Sequence, residues 1–192
     1  MKNFGGYAEK QFNTRQICYF LNIVGMLVNN LILTIAFYYQ LVKDELPCPI
    51  CLLQRVGVIM ISIGFFLNVR FGISSSHYGI ALLGSIITGI IATRQVLLHI
   101  LPADPGYGSS IFGLHFYTLA LLSSLVTIIA IAMLLILQRW EEIDRNSINL
   151  TFEGKMAIII FMVLITANLV STLFECGLGP CDTNPTKYNF MP

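Results

Sequence analysis

Cys48 and Cys51 are separated by two residues in "PCPICLLQR", and Arg55 follows Cys51 by four. A second close pair, Cys176 and Cys181, lies in "ECGLGPC". Paired cysteines at such spacings hold a metal, staple the chain or exchange electrons. Four thiolates suit a structural zinc, but such sites stabilise small domains. A Cys48–Cys51 bridge closes so short a loop that it restrains the unfolded chain little. Electron exchange accounts for more of the neighbouring residues. Pro47 and Pro49 flank Cys48, and proline is well tolerated in a helix's first turn, where its missing N–H costs nothing. Cys48 and Cys51 are therefore expected at a helix N-terminus, whose dipole and free N–H groups favour a thiolate. Arg55, one turn beyond Cys51, shares its helical face. Gly177, Gly179 and Pro180 make a turn-forming spacer that lets Cys176 and Cys181 approach each other.

The elements that position these residues must cross a membrane. The 192 residues are 56% hydrophobic and 11% charged, with a mean hydropathy of +0.76. A soluble chain carries about twice that charge. Eleven basic against 10 acidic residues give nothing that points to nucleic acid. A span of roughly 30 Å of hydrocarbon needs about 20 apolar residues. Five segments qualify, at about 17–42, 50–67, 80–101, 111–137 and 156–174. The linkers "KDELPCP", "NVRFGISSSHYG", "PADPGYGSS" and "QRWEEIDRNSINLTFEGK" carry the Pro, Gly, Ser and charge that lipid rejects. The second span, 18 residues long, is expected to stand close to upright. The fold class is thus an all-α integral membrane protein, a single domain over 1–192 with no internal repeat.

Orientation follows from the basic residues, which favour short cytoplasmic loops. An inside N-terminus puts Lys2, Lys10, Arg15, Arg70, Arg139, Arg145 and Lys155 in the cytoplasm. Only Lys43 and Lys187 then lie outside, with Arg55 and Arg94 in spans. Residues 1–16 become a cytoplasmic tail and 175–192 a non-cytoplasmic one. Both cysteine pairs face the outer compartment, where disulfides persist, and Cys18 lies at the other end of span one. The internal "KDEL" is no retention signal, which is read only at a C-terminus. Span one lacks a small-residue cleavage site and is expected to stay. The sequon at Asn149, in a cytoplasmic loop, is expected to go unused.

Membrane placement sharpens the chemistry. An arginine at the lipid rim wants an anionic partner. A thiolate or a developing oxygen anion meets that need. A thiolate beside a guanidinium, opening onto lipid, can pass electrons to a lipid-soluble acceptor, and quinones are the two-electron acceptors of membranes.

"PCPICLLQR", followed by a helical hairpin and "TRQVLLHILPADPG", resembles the DsbB family, membrane proteins that generate disulfides with quinone. The resemblance covers roughly residues 17 to 137, that family's four-helix core. It implies a bacterial inner-membrane enzyme in which Cys48 and Cys51 are the quinone-proximal pair. It implies that Arg55 binds or polarises the quinone, ubiquinone or menaquinone, and that Arg94, Gln95 and His99 build more of the pocket. It also implies a periplasmic, thioredoxin-like, DsbA-like dithiol protein as partner. The family pattern places its second cysteine pair between spans three and four, where "PADPGYGSS" has none. A fifth span and a tail bearing Cys176 and Cys181 take that place, and "DTNPTKYNFMP" reads as a mobile tail suited to a shuttle. A static tail disulfide is the alternative.

The remaining polar residues read as structural. Asn22, Asn29 and Asn30 suit hydrogen bonds between spans, and Gly84 and Gly89 suit close helix packing. His77 and His115 carry no pattern, seven methionines are scattered, and Cys18 reads as a buried thiol without a redox role. "QRWEEIDRNSIN" could lie along the inner surface with Trp140 at the interface. Two rival functions stand beside the oxidase: a vitamin K epoxide reductase-like protein, whose C-x-x-C normally falls late in its core, and a metal-binding membrane scaffold.

Overall fold

A computed structural model of the chain describes residues 4–101, 104–139, 150–177, 179–183 and 185–188. Expectations placed on residues 140–149, namely the surface segment with Trp140 and the sequon, lie outside the described residues. Five helices dominate: α1 (Phe4–Val42), α2 (Pro49–Phe71), α3 (Ser75–Leu98), α4 (Phe116–Arg139) and α5 (Phe152–Cys176). Each contains a stretch long and apolar enough to cross a membrane. The chain is an all-α integral membrane protein.

The sequence places the loop between spans two and three at residues 68–79, but the helices close it to Gly72, Ile73 and Ser74. Two caps explain this. Gly72 takes φ 94°, a conformation that L side chains avoid, and ends α2 abruptly. The Ser74 side chain accepts from the Ser76 N–H and starts α3. His77 thus lies in the first turn of α3, bonded to Asn68 Oδ1 and the Gly72 carbonyl. The expected start of span four is also displaced. Residues 110–115 form a hairpin, with β1 (Ser110–Ile111) antiparallel to β2 (Leu114–His115). Phe112 and Gly113 both take positive φ at its tip, as a two-residue hairpin turn requires.

α2 and α3 pack most closely because glycines let their backbones touch. A Cβ on Gly84 would meet the Ile61 nitrogen at 2.8 Å, and one on Gly64 would meet the His77 carbonyl at 2.6 Å. The neighbours are backbone and cannot yield. Gly84→Ala is accordingly expected to cost about 1–3 kcal/mol, seen as a lower thermal midpoint in detergent; Gly79→Ala, whose Cβ meets nothing within 4 Å, serves as the neutral control.

At the end away from the cysteine pairs, a polar network ties three segments. Asn22 donates to Tyr78 Oη at 2.7 Å and accepts from Asn68 at 2.9 Å, while Asn68 Oδ1 takes the Ser74 N–H. Cys18 is fully buried beside it and belongs to neither disulfide. Asn30 donates to the Ala157 carbonyl and joins α1 to α5, whereas Asn29 bonds within its own helix to Gly25. α5 buries Ala157, Phe161, Leu164, Asn168 and Glu175, a stripe at helical spacing that faces α1 and α2. Its C-terminus therefore arrives at the bundle end that carries Cys48.

Candidate functional site

The site is assembled from the N-terminus of α2. Pro49 opens that helix and Cys48 is its N-cap, with the Cys51 N–H donating to Cys48 Sγ at 3.1 Å. Cys48 and Cys51 are joined in a disulfide. Opposite them, Gln95 on α3 sends its amide toward both sulfurs at 3.6 Å and accepts from Gln54 at 2.8 Å. Gln95 is 2% exposed, so its donors have no water to turn to. A thiolate formed at either sulfur would meet a helix N-terminus and an oriented amide.

Arg55 lies one turn along α2. Its Nη1 donates to Gln40 Oε1 at 2.6 Å and its Nη2 to the Ala36 carbonyl at 3.1 Å, while the guanidinium sits 5.3 Å from the Phe37 ring centre. Three partners on α1 thus orient one charge. Gln40 in turn donates to Ser171 Oγ on α5 at 2.6 Å and to Tyr188 Oη of the tail at 3.3 Å.

Between these groups lies a cavity of about 280 Å³, lined by Cys51, Arg55, Gln54 and Gln95 on its polar side and by Leu33, Val58 and Phe116 among its apolar walls. Cys48 is not among the lining residues. Small-molecule sites are typically apolar clefts of about 300–1,000 Å³ with a few convergent polar groups. At about 280 Å³ this one suits a compact ligand more than a large one. The roof is the turn between α1 and α2, held by the following loop: Tyr107 donates to the Leu46 carbonyl at 2.8 Å, and Ser109 donates its N–H and hydroxyl to Glu45. Burial raises the Tyr107 pKa above the ordinary tyrosine value, with Glu175 and Glu45 acting in the same direction.

The other expected pocket residues fall elsewhere. Arg94 is exposed and does not line the cavity, since one residue's step turns a helix by about 100° away from Gln95. His99 caps α3 and bonds Asp104 Oδ2 at 3.0 Å. It reaches the cavity only by stacking on Tyr117, a lining residue, at 5.6 Å between ring centres. The Gly106 N–H and the His99 bond hold Asp104 below the usual carboxylate range.

Cys176 is the last residue of α5 and is bonded to Cys181. Gly177, at φ 67°, turns the chain out of the helix, its N–H returning to the Leu173 carbonyl at 2.9 Å. The tail, read as mobile, is docked over residues 185–188: Pro185 lines the cavity and Tyr188 takes the Gln40 bond. Among the described residues no group of three or more His, Cys, Asp or Glu is placed to hold a metal ion. The residues missed by sequence reading are Gln40, Gln54 and Glu175. The available signal was a polar side chain within an apolar span.

Fold and site together define a multi-pass helical membrane protein built around paired cysteines. The chain belongs to the disulfide bond formation protein DsbB family, whose model matches residues 18–170. Proteins named disulfide bond formation protein B from Nitrosococcus oceani and Marinobacter nauticus are 42% and 37% identical to it, over 87 and 86 residues. Each alignment takes in 42% of this chain, and 50% and 51% of those relatives respectively. The chain therefore spans about half the length of the curated relatives it matches. No solved structure matches it at comparable significance.

Proposed function

We propose that this protein is a quinone-dependent thiol oxidase of the bacterial inner membrane. Its N-terminus is cytoplasmic and its C-terminal tail periplasmic, so both cysteine pairs work on the periplasmic face. The observation that carries the reading is the cavity at the Cys48–Cys51 disulfide, into which Cys51, Arg55 and Gln95 converge. The donor set fits a quinone head group: an apolar slot, a fixed cation and a glutamine amide for its ring oxygens. When bound there, a quinone supplies a membrane-soluble acceptor of two electrons and two protons.

The chain's own residues set the order of events. A reduced thioredoxin-like dithiol protein attacks the Cys176–Cys181 disulfide through a mixed disulfide and leaves oxidised. The reduced tail pair then attacks Cys48–Cys51. Cys48, the N-cap of α2, is the sulfur away from the cavity, and Cys51 is the one that presents its electrons to it. Arg55, held by Gln40 and Ala36, keeps a positive charge where negative charge develops, without reorganising. Gln95 orients the pair, and His99 acts at the cavity's margin through the ring of Tyr117.

The test is thiol trapping of the purified chain with decylubiquinone and a reduced DsbA-like protein, wild type beside Cys176→Ala and Cys181→Ala. The tail variants are expected to lose oxidation of the protein partner by at least about 100-fold while Cys48–Cys51 stays oxidised. Normal turnover in both variants would make the tail bridge a staple and sink the relay.

A further inference from the structure

Glu175 has no role in the relay just described, yet it is placed where a carboxyl is costly. It lies in the last turn of α5, is 3% exposed, and neither of its carboxyl oxygens has a hydrogen-bond partner among the described residues. An isolated buried carboxylate must find counter-charge or a proton. Ser171, one turn earlier on the same helical face, bonds Gln40, the residue that holds Arg55. α5 therefore aims Glu175 at the Arg55 cluster, and the two groups interact electrostatically without closing an ion pair. The other ionisable group that feels Glu175 is Tyr107 of the loop, while Tyr188 of the tail acts on Arg55. Asp44 and Glu45 line the cavity itself, and Glu45 is engaged by Ser109.

We propose that Glu175 is the charge-compensating acid of the site, shared with Cys51 through Arg55: it is ionised while Cys48–Cys51 is a disulfide and takes a proton when Cys51 becomes a thiolate. The role rests on Cys48–Cys51 being redox-active, but it does not need a quinone. With the disulfide intact, Glu175 is the carboxylate that acts electrostatically on Arg55, Glu45 being engaged by Ser109. Reduction places a second anion, the Cys51 thiolate, one turn of α2 from the same cation. One positive charge in a low-dielectric rim supports one negative charge far better than two. The step balances. The S–S bond breaks, and two electrons and two protons come from a reducing dithiol, which closes to its own disulfide. One proton ends on Cys48 sulfur and the other on Glu175, leaving Cys51 as thiolate. When the bond re-forms, two electrons leave to the cavity's acceptor, a membrane quinone, together with the protons of Cys48 and Glu175. Glu175 is thus a positioning residue that keeps net charge constant and holds one of the two protons in reserve. It acts on the cavity through Arg55.

The experiment uses the quinone-free full chain, reduced with dithiothreitol, in wild type, Glu175→Gln and Glu175→Asp. Reduced-minus-oxidised infrared spectra report carboxyl protonation, and ultraviolet thiolate absorbance against pH reports Cys51. Wild type is expected to gain a carboxyl C=O band on reduction. In E175Q the band is absent and the thiolate midpoint falls by about one pH unit, because Arg55 no longer divides its field. E175D is expected to retain both features. A second readout is decylubiquinone reduction driven by dithiothreitol, about tenfold slower in E175Q, with alkylation showing the tail pair still reduced at the wild-type rate. Identical bands and midpoints in wild type and E175Q overturn the role. So does E175D behaving like E175Q, which marks a packing defect. A wild type that shows the band and midpoint yet reduces no decylubiquinone supports the role and overturns the quinone reading alone.

Discussion

Cys51→Ala is expected to abolish quinone reduction, a loss of at least about 1,000-fold in turnover, as deletion of a reacting nucleophile does elsewhere. Cys51 is the only cysteine lining the cavity among the described residues, so no neighbouring sulfur can replace it. The variant also leaves Cys48 without its partner. A mixed disulfide between Cys48 and a tail cysteine is then expected to accumulate, visible by mass after alkylation and proteolysis. Cys48→Ala should arrest turnover as fully, yet without that species. Were Cys51→Ala to reduce decylubiquinone at a measurable fraction of the wild-type rate, the acceptor would not be taking its electrons from this sulfur.

Arg55→Gln is the second large effect, expected to lower kcat/KM for decylubiquinone by about 100-fold, the scale of losing one preorganised donor to developing charge. The tail pair should still be reduced by dithiol at the normal rate, because the hydrogen bonds of Arg55 go to Gln40 and Ala36 on α1 and not to the tail. Arg55→Lys separates charge from geometry. A lysine restores the cation, but its point charge cannot span Gln40 Oε1 and the Ala36 carbonyl as the guanidinium fork does. It should therefore recover only about a tenth of the lost activity. Full recovery in Arg55→Lys would show that charge alone matters and that the fork on α1 is incidental.

The contrast between Arg55 and Arg94 shows where sequence reading stopped. Both are basic residues near a span's end; spacing from Cys51 singled out Arg55, whereas only the family resemblance brought in Arg94. Only the angular position of α3 separates Arg94, exposed, from its neighbour Gln95, buried. His99 was drawn off similarly by Asp104, a partner five residues ahead whose approach depends on how the loop folds back. The hairpin at 110–115 escaped notice because its Phe-Gly turn sits inside an apolar run that reads equally as the start of a span.

Some features needed only local chemistry. Membrane residence follows from apolar length, the N-cap position of Cys48 from the prolines around it, and the shared face of Cys51 and Arg55 from helical period. Each depends on residues within a turn or a span of one another, where backbone geometry is nearly constant. The oxidisable pairs were legible for the same reason. What required the folded bundle was every relation between spans: Gln40 as the holder of Arg55, Gln95 facing both sulfurs, Pro185 closing on the cavity, and Glu175 brought within electrostatic reach of Arg55 across 120 positions in sequence (175 against 55). Those relations are set by the rotation and depth at which helices pack. In this chain that packing depends on a few glycines and asparagines whose partners lie on other helices.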